Sequence, residues 1–182
     1  TSTCIKTLEG HTQGVNSVMW NFQGTKLASG SGDNTIRIWN SNTWTCIQTL
    51  KGHTQCVKTV AWTSQGRLAS GSGDTTIKIW DSTTWKCVQT LEGHTQGVSS
   101  VTWNSQGTKL ASGSMGATIK IWDTNIWKCI QTLEGHTRSV ESVMWNSQGT
   151  LLASGSYDRT VKIWDSKDSK TWKCVQTLEG HT

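Results

Sequence analysis

Val98–Asp123 reads VSSVTWNSQGTKLASGSMGATIKIWD, and this stretch decides the fold class. Val98 to Trp103 is rich in β-branched and aromatic residues and is bounded by turn residues, which predicts a short strand. Asn104-Ser105-Gln106-Gly107 follows, and its glycine suits the positive φ of a hairpin loop with a bulge. Lys109 to Ser114 predicts a second strand and Ala117 to Trp122 a third. Just beyond, Trp127 to Leu133 predicts a fourth, with Ile130, Thr132 and Leu133 along it. No 3.6-residue apolar period interrupts the pattern. The unit is four short antiparallel strands, and the chain is all-β.

The unit is copied. A Gly-His pair recurs at His11, His53, His94, His136 and His181, at intervals of 42, 41, 42 and 45 residues. A tryptophan followed by Asp or Asn recurs at Trp39, Trp80, Trp122 and Trp164, at intervals of 41, 42 and 42. A fixed period of this length marks a repeat architecture. We read residues 1–182 as one repeat domain with copies at about 4–45, 46–86, 87–128 and 129–173. One such sheet cannot bury both faces alone, whereas stacked copies can. Radial stacking gives a propeller of four-stranded blades.

Composition bounds the function classes. The formal charge of +5 is modest, and its cations recur in register (Arg37, Lys78, Lys120, Lys162), so they spread around the array. A single basic stripe would be the mark of a nucleic-acid binder, so nucleic acid is not an expected partner. No apolar run approaches the roughly 18 residues of a membrane span and no signal-peptide core opens the sequence. A cytoplasmic, membrane-free protein is the expectation. Five of the six cysteines (Cys4, Cys46, Cys87, Cys129, Cys174) share one register of the repeat. Equivalent strands of neighbouring copies do not bring Cα atoms within the roughly 7 Å that a disulfide needs, so they read as small buried hydrophobes. Cys46 and His53 lie up to roughly 23–25 Å apart in extended chain, too far to share an ion. Neither a metal nor a cofactor is expected. Cys56 alone is out of register.

The Gly-His pair, the L-A-S-G-S strand, the Asp two residues beyond it and the closing I-K-I-W-D together resemble the WD-repeat β-propeller family, over the whole chain and in four copies. The first hairpin departs from the family's usual Ser-Pro-Asp-Gly, keeping the glycine without the proline. The resemblance implies a structural tetrad in each blade: His11, Ser29, Asp33 and Trp39; His53, Ser70, Asp74 and Trp80; His136, Ser154, Asp158 and Trp164. The third copy keeps His94, Ser112 and Trp122 but has Gly116 in the acid's place, which predicts the weakest blade. Ser, His and Asp also compose hydrolase triads. Here the indole N–H can only donate, the serine can accept it and donate onward, and the chain ends on the carboxylate. A serine so occupied is not a nucleophile, and no catalytic role is expected.

The twelve tryptophans fall into three registers. Trp20, Trp62, Trp103 and Trp145 end the first strand, and the tetrad set makes the second; both read as core. Trp44, Trp85, Trp127 and Trp172 open the outer strand, where each could stack on a sugar.

Most of the unit is nearly invariant between copies; the exceptions are Asn16, Lys58, Ser99 and Glu141 at the entry to the first strand, Cys56 and Arg138 before it, and Met115, Tyr157, Asn34, Ala117 and Arg159 after the second strand. These loops fall at one edge of a meander, so the differing residues should gather on one face beside the channel, as a surface selected for contacts would. The reading is a non-enzymatic scaffold binding a protein or peptide. The alternatives are a multivalent lectin using the outer tryptophans, and a purely structural array or a fragment of a longer propeller. Outer-strand sequence occurs five times against four for the others, leaving 172–178 as a surplus strand. Four blades per chain also fall short of the seven or so usual in the family, whereas two chains would give eight. A homodimeric eight-bladed ring is the expectation, with a longer array and a self-closed four-bladed monomer as alternatives.

Overall fold

A computed structural model describes residues 3–168 and 171–181 as four separate four-stranded antiparallel sheets. The first blade holds β1 (Val15–Trp20), β2 (Lys26–Ser31), β3 (Ile36–Asn40) and β4 (Cys46–Leu50). The second holds β5 (Val57–Trp62), β6 (Arg67–Ser72), β7 (Ile77–Asp81) and β8 (Cys87–Leu91). The third holds β9 (Val98–Trp103), β10 (Lys109–Ser114), β11 (Ile119–Asp123) and β12 (Lys128–Leu133), and the fourth β13 (Val140–Trp145), β14 (Leu151–Ser156), β15 (Val161–Asp168) and β16 (Thr171–Leu178). Among the described residues no helix is long and apolar enough to cross a membrane.

The hairpin glycines Gly24, Gly66, Gly107 and Gly149 have φ of 68°, 85°, 69° and 68°, so the turn holds without proline. Asn21 supports it: its Oδ1 accepts from Lys26 N at 2.8 Å. A register shift between Val15 and Ser17 recurs at the same place in the other blades. Strict alternation would put residues three apart on opposite faces. The bulge returns Val57 and Val60, and their counterparts, to the same face.

The third strand begins at Ile119, two residues later than the sequence pattern predicts. Ala117 has a φ of 63°, and Asn34, Thr75 and Arg159 match it at 66°, 69° and 69°. Each sits in a left-handed turn whose amide bonds back to the Ser carbonyl three residues earlier. Trp127, at φ 53°, likewise precedes its strand.

The blades stack through unlike faces. The rear of the first presents Ala28, Ile36, Ile38 and Leu50; the front of the second presents Val57, Val60, Trp62, Leu68 and Trp80. The same residue classes meet at the other two junctions. Fully burying a Val or Leu side chain contributes about 1.5–3 kcal/mol. Closeness requires glycine: a Cβ on Gly30, Gly71 or Gly113 would lie 2.6, 2.6 or 2.8 Å from Cγ1 of Val57, Val98 or Val140.

The four blades form an open arc. Val15, Val18 and Trp20 on the first front face are exposed, with Val18 at 60%. On the last rear face nothing approaches a Cβ placed on Gly155, and Leu178 is 48% exposed where Leu50, Leu91 and Leu133 are 2–3%. A four-bladed ring closed within one chain is thereby excluded, and Trp20 leaves the core set for want of a neighbour. The surplus strand sits at the other end from that expected. Thr171–Leu178 pairs with β15 and completes the fourth blade, while the segment around Cys4 carries no strand. The in-register cysteines are not buried: Cys4, Cys87, Cys129 and Cys174 are exposed, Cys46 is half-buried, and all are free thiols. Sγ of Cys46 donates to Gln48 O at 3.3 Å, a bond repeated along the outer strands.

Gly71→Ala should destabilise the chain by roughly 1–3 kcal/mol through overpacking, measured by urea unfolding. Gly155→Ala should leave the unfolding of a single chain unchanged.

Candidate functional site

Three blades carry a complete hydrogen-bonded relay from indole to carboxylate. In the first, Trp39 Nε1–H donates to Ser29 Oγ at 2.8 Å, Ser29 Oγ meets His11 Nε2 at 2.8 Å, and His11 Nδ1 meets Asp33 Oδ2 at 2.8 Å. The second runs Trp80, Ser70, His53, Asp74 at 2.9, 2.8 and 2.8 Å, and the fourth Trp164, Ser154, His136, Asp158 at 2.8, 2.8 and 2.7 Å. Each imidazole also stands edge-on to its indole, at 6.3–6.4 Å between centroids.

The acid gathers more than the histidine. Asp33 accepts from Thr12 N, Thr35 N and Thr35 Oγ1 at 3.0, 3.0 and 2.6 Å. Burial raises a carboxyl, but here it is outweighed by the hydrogen bonds from Thr35, His11 and Thr12, and Asp33 is held well below the usual carboxylate range. Asp158 behaves likewise, and Asp74 is lowered to about 2 with burial again opposed by Thr76, Thr54 and His53. An ionised acid can only accept, so Nδ1 carries the proton and Nε2 accepts from serine. The serine oxygen is thus engaged by both indole and imidazole, and Ser70 is fully buried. This is the chemistry of a fastener between strands and loop; it has no free nucleophile.

The third blade keeps two of the three bonds. Trp122 Nε1–H donates to Ser112 Oγ at 2.8 Å and Ser112 meets His94 Nε2 at 2.7 Å. His94 is as buried as His53 and His136, yet its Nδ1 has no partner. Burial, reinforced by the charge of Lys120, lowers its pKa from 6.5 to about 4.

The residues that differ between copies divide into two groups. Three are committed to the adjoining blade: Asn16 Nδ2 donates to Val57 O at 2.9 Å, Asn34 Nδ2 to Thr54 O at 3.3 Å, and Ser99 Oγ to Val140 O. Cys56 is half-buried, its Sγ 3.2 Å from where a Cβ on Gly73 would lie, and Lys58 and Ala117 are half-buried too. The others face outward. Met115 is exposed, and Glu141 is exposed and accepts from Ser139 Oγ. Arg138, Tyr157 and Arg159 are exposed and line one open polar cleft of about 420 Å³ with Thr137 and Asp158. Thr137 and Asp158 were not legible as part of it, because Thr137 is the same in every copy and Asp158 reads as the tetrad acid.

The outer tryptophans offer little free surface. Trp85, Trp127 and Trp172 each carry a cation of the preceding blade above the ring: Lys26 at 5.0 Å, Arg67 at 5.5 Å and Lys109 at 5.9 Å. Each also stands edge-on to a first-strand tryptophan, as in Trp62–Trp85 at 6.2 Å. At these three rings a face that a sugar would need is covered.

Gly116→Asp supplies the acceptor His94 lacks and should stabilise the chain by on the order of 1–3 kcal/mol. The parent's His94 is depressed when folded, so the unfolded chain binds the extra proton first and stability falls as pH drops from 6.5 toward 4. The advantage of the variant should widen over that window in urea unfolding followed at several pH values.

With this geometry in place, comparisons with known proteins are specific. The family profile described as WD domain, G-beta repeat matches residues 2–40, 44–81, 85–123 and 127–165. THO complex subunit 3 of Arabidopsis thaliana is 66% identical over 32 residues, 18% of this chain and 10% of that protein. Protein Notchless of Drosophila melanogaster is 45% identical over 40 residues, 22% of this chain and 8% of that protein. The matched segments therefore span a tenth or less of those relatives, about one repeat each. Four profile matches in register with four blades show that the chain belongs to the WD-repeat family.

Proposed function

We propose that this chain is a non-enzymatic scaffold whose loop-bearing face binds an acidic protein segment. The observation that carries the reading is the cleft of Arg138, Tyr157 and Arg159. Two guanidinium groups and an exposed phenol occupy positions that hold glutamine, small or neutral residues in the other copies. Arginine and tyrosine are the side chains most enriched where interfaces concentrate binding energy, and a guanidinium pairs bidentately with carboxylates. The relatives' names fit the class of function, since one is a subunit of a complex. The covered faces of Trp85, Trp127 and Trp172 disfavour a lectin.

The assembly we propose is head-to-tail pairing of two copies into an eight-bladed ring. The exposed Val15, Val18 and Trp20 are the repeat equivalents of Val57, Val60 and Trp62, and the open face at Gly155 and Leu178 is the equivalent of that at Gly30 and Leu50. Each end is the complement of the other, and such a heterologous contact makes a ring when its rotation closes. Leu151 stands where Lys26, Arg67 and Lys109 reach over the next tryptophan, so the closing junction would set Leu151 against Trp44 of the second copy.

Two measurements test these readings. Arrays of acidic, basic and neutral peptides should retain the acidic set on the parent, and Arg138→Ala/Tyr157→Ala/Arg159→Ala should lose most of that binding; retention of glycans instead would favour the lectin. Sedimentation should give the mass of two chains for the parent. Gly155→Ala should shift it to one chain, because the new methyl meets Val15 of the other copy. A parent sedimenting as a single chain would overturn the ring.

A further inference from the structure

The third blade builds a receptor for a carboxylate that its own sequence does not supply. In the first blade four donors converge on Asp33: His11 Nδ1, Thr12 N, Thr35 N and Thr35 Oγ1. The same four are present around Gly116 as His94 Nδ1, Thr95 N, Thr118 N and Thr118 Oγ1. Among the described residues, none of these four has an acceptor.

The loop that would carry the acid has not collapsed. Gly116 N donates to Ser114 Oγ at 3.1 Å, as Asp33, Asp74 and Asp158 N do to their serines at 3.1 Å. Ala117 N reaches Ser114 O at 3.2 Å, matching 3.2, 3.2 and 3.1 Å in the other blades. A methyl at Gly116 would meet nothing nearer than Gln96 Cγ at 3.3 Å. His94 is held from behind by Ser112, and at 6% exposure its unpaired Nδ1 points into this space. With a carboxylate in the cradle, Nδ1 carries the proton and Ser112 donates to Nε2, as in the other blades, so the cradle then offers donors alone. A buried donor without a partner costs free energy that an entering acceptor recovers.

We propose that this cradle binds one carboxylate group, with two oxygens placed as those of Asp33 are. The group can come from a small free acid or from an Asp or Glu side chain of a docked protein. The second source rests on the scaffold reading above, and the geometry suits it. Asn34 bonds to Thr54 of the next blade; by the repeat, Ala117 lies beside Thr137, which lines the arginine cleft. An acidic segment in that cleft has the cradle within one blade of it. Lys120, near enough to depress the imidazole, adds to the attraction for an anion.

The test uses the whole chain with acetate and formate as probes, chloride at equal ionic strength as control, and the imidazole NMR signals as readout. The expected result is a saturable shift of one histidine's signals by acetate and formate, with a rise in Tm that chloride does not give. Both should be lost in Gly116→Asp, which fills the cradle from within and is the more stable fold. No saturable shift in the parent, or an equal one in Gly116→Asp, overturns the proposal whatever becomes of the peptide array. A second arm compares array-selected acidic peptides with their Asn/Gln counterparts on the parent and on Gly116→Asp. A preference for the acid lost only in the variant supports a protein side chain as the source. A preference unchanged in the variant, with the acetate response intact, supports a free acid in the cradle and leaves the cleft as the peptide's separate site.

Discussion

A four-stranded sheet of this sequence has two apolar faces, and the molecule depends on each being covered by the next. The contact is the fit of a valine pair and a tryptophan against a glycine flanked by aliphatic side chains. At Gly30 the approach is so close that a Cβ would lie 2.6 Å from Val57. Such packing at interior density leaves no slack, which explains why the residues on both faces barely change from copy to copy. Between the blades, polar groups follow the same logic: Val60 N reaches Ser17 Oγ at 3.2 Å and Trp103 Nε1 reaches Ala61 O at 3.0 Å.

The relay of Trp, Ser, His and Asp serves a different need. Loops between strands expose backbone amides that stacking cannot satisfy, and the carboxylate gathers those of Thr12 and Thr35 into one network. The third blade shows how separable the parts are. Removing the acid leaves the turn, the bulge and the serine–indole bond in place. What is lost is local: the one acceptor that His94 Nδ1 and the Thr95 and Thr118 donors would share. A fold held mainly by its junctions tolerates that loss, whereas a small domain relying on the network would not.

Much of this was legible in the sequence. The strands and hairpins follow from β-branched runs and from Gly24, Gly66, Gly107 and Gly149, whose residue type announces its backbone. Asn34, Thr75, Ala117 and Arg159 adopt the left-handed region at one repeat position with four unrelated side chains. Nothing local marks them, so the sequence pattern starts the third strand two residues before Ile119. The cysteine register read as buried because cysteine usually is; the outer strand faces solvent, and its thiols settle for a carbonyl two residues on. Trp20 illustrates a third kind of miss. Its residue type and register equal those of Trp62, and the absence of a preceding blade exposes it. The parts of the candidate site that vary were visible by comparing copies, but their uses were not. Asn16 and Ser99 hydrogen-bond across some 41 residues of sequence to the next blade.

That last pair limits what variation between repeats can mean. A backbone carbonyl such as Val57 O or Val140 O accepts from any donor of suitable reach, so asparagine and serine are interchangeable there without loss of the junction. An apolar face offers no such freedom, since a methylene more or less is felt at once. Divergence among near-identical repeats is therefore expected wherever the partner is a backbone atom, whether or not a ligand binds. Differences carry functional weight only where the side chain has been released from its neighbours. Arg138, Tyr157 and Arg159 meet that condition together, in one cleft at one end of the arc. Gly116 meets it in reverse, because there the neighbours have been released from the side chain.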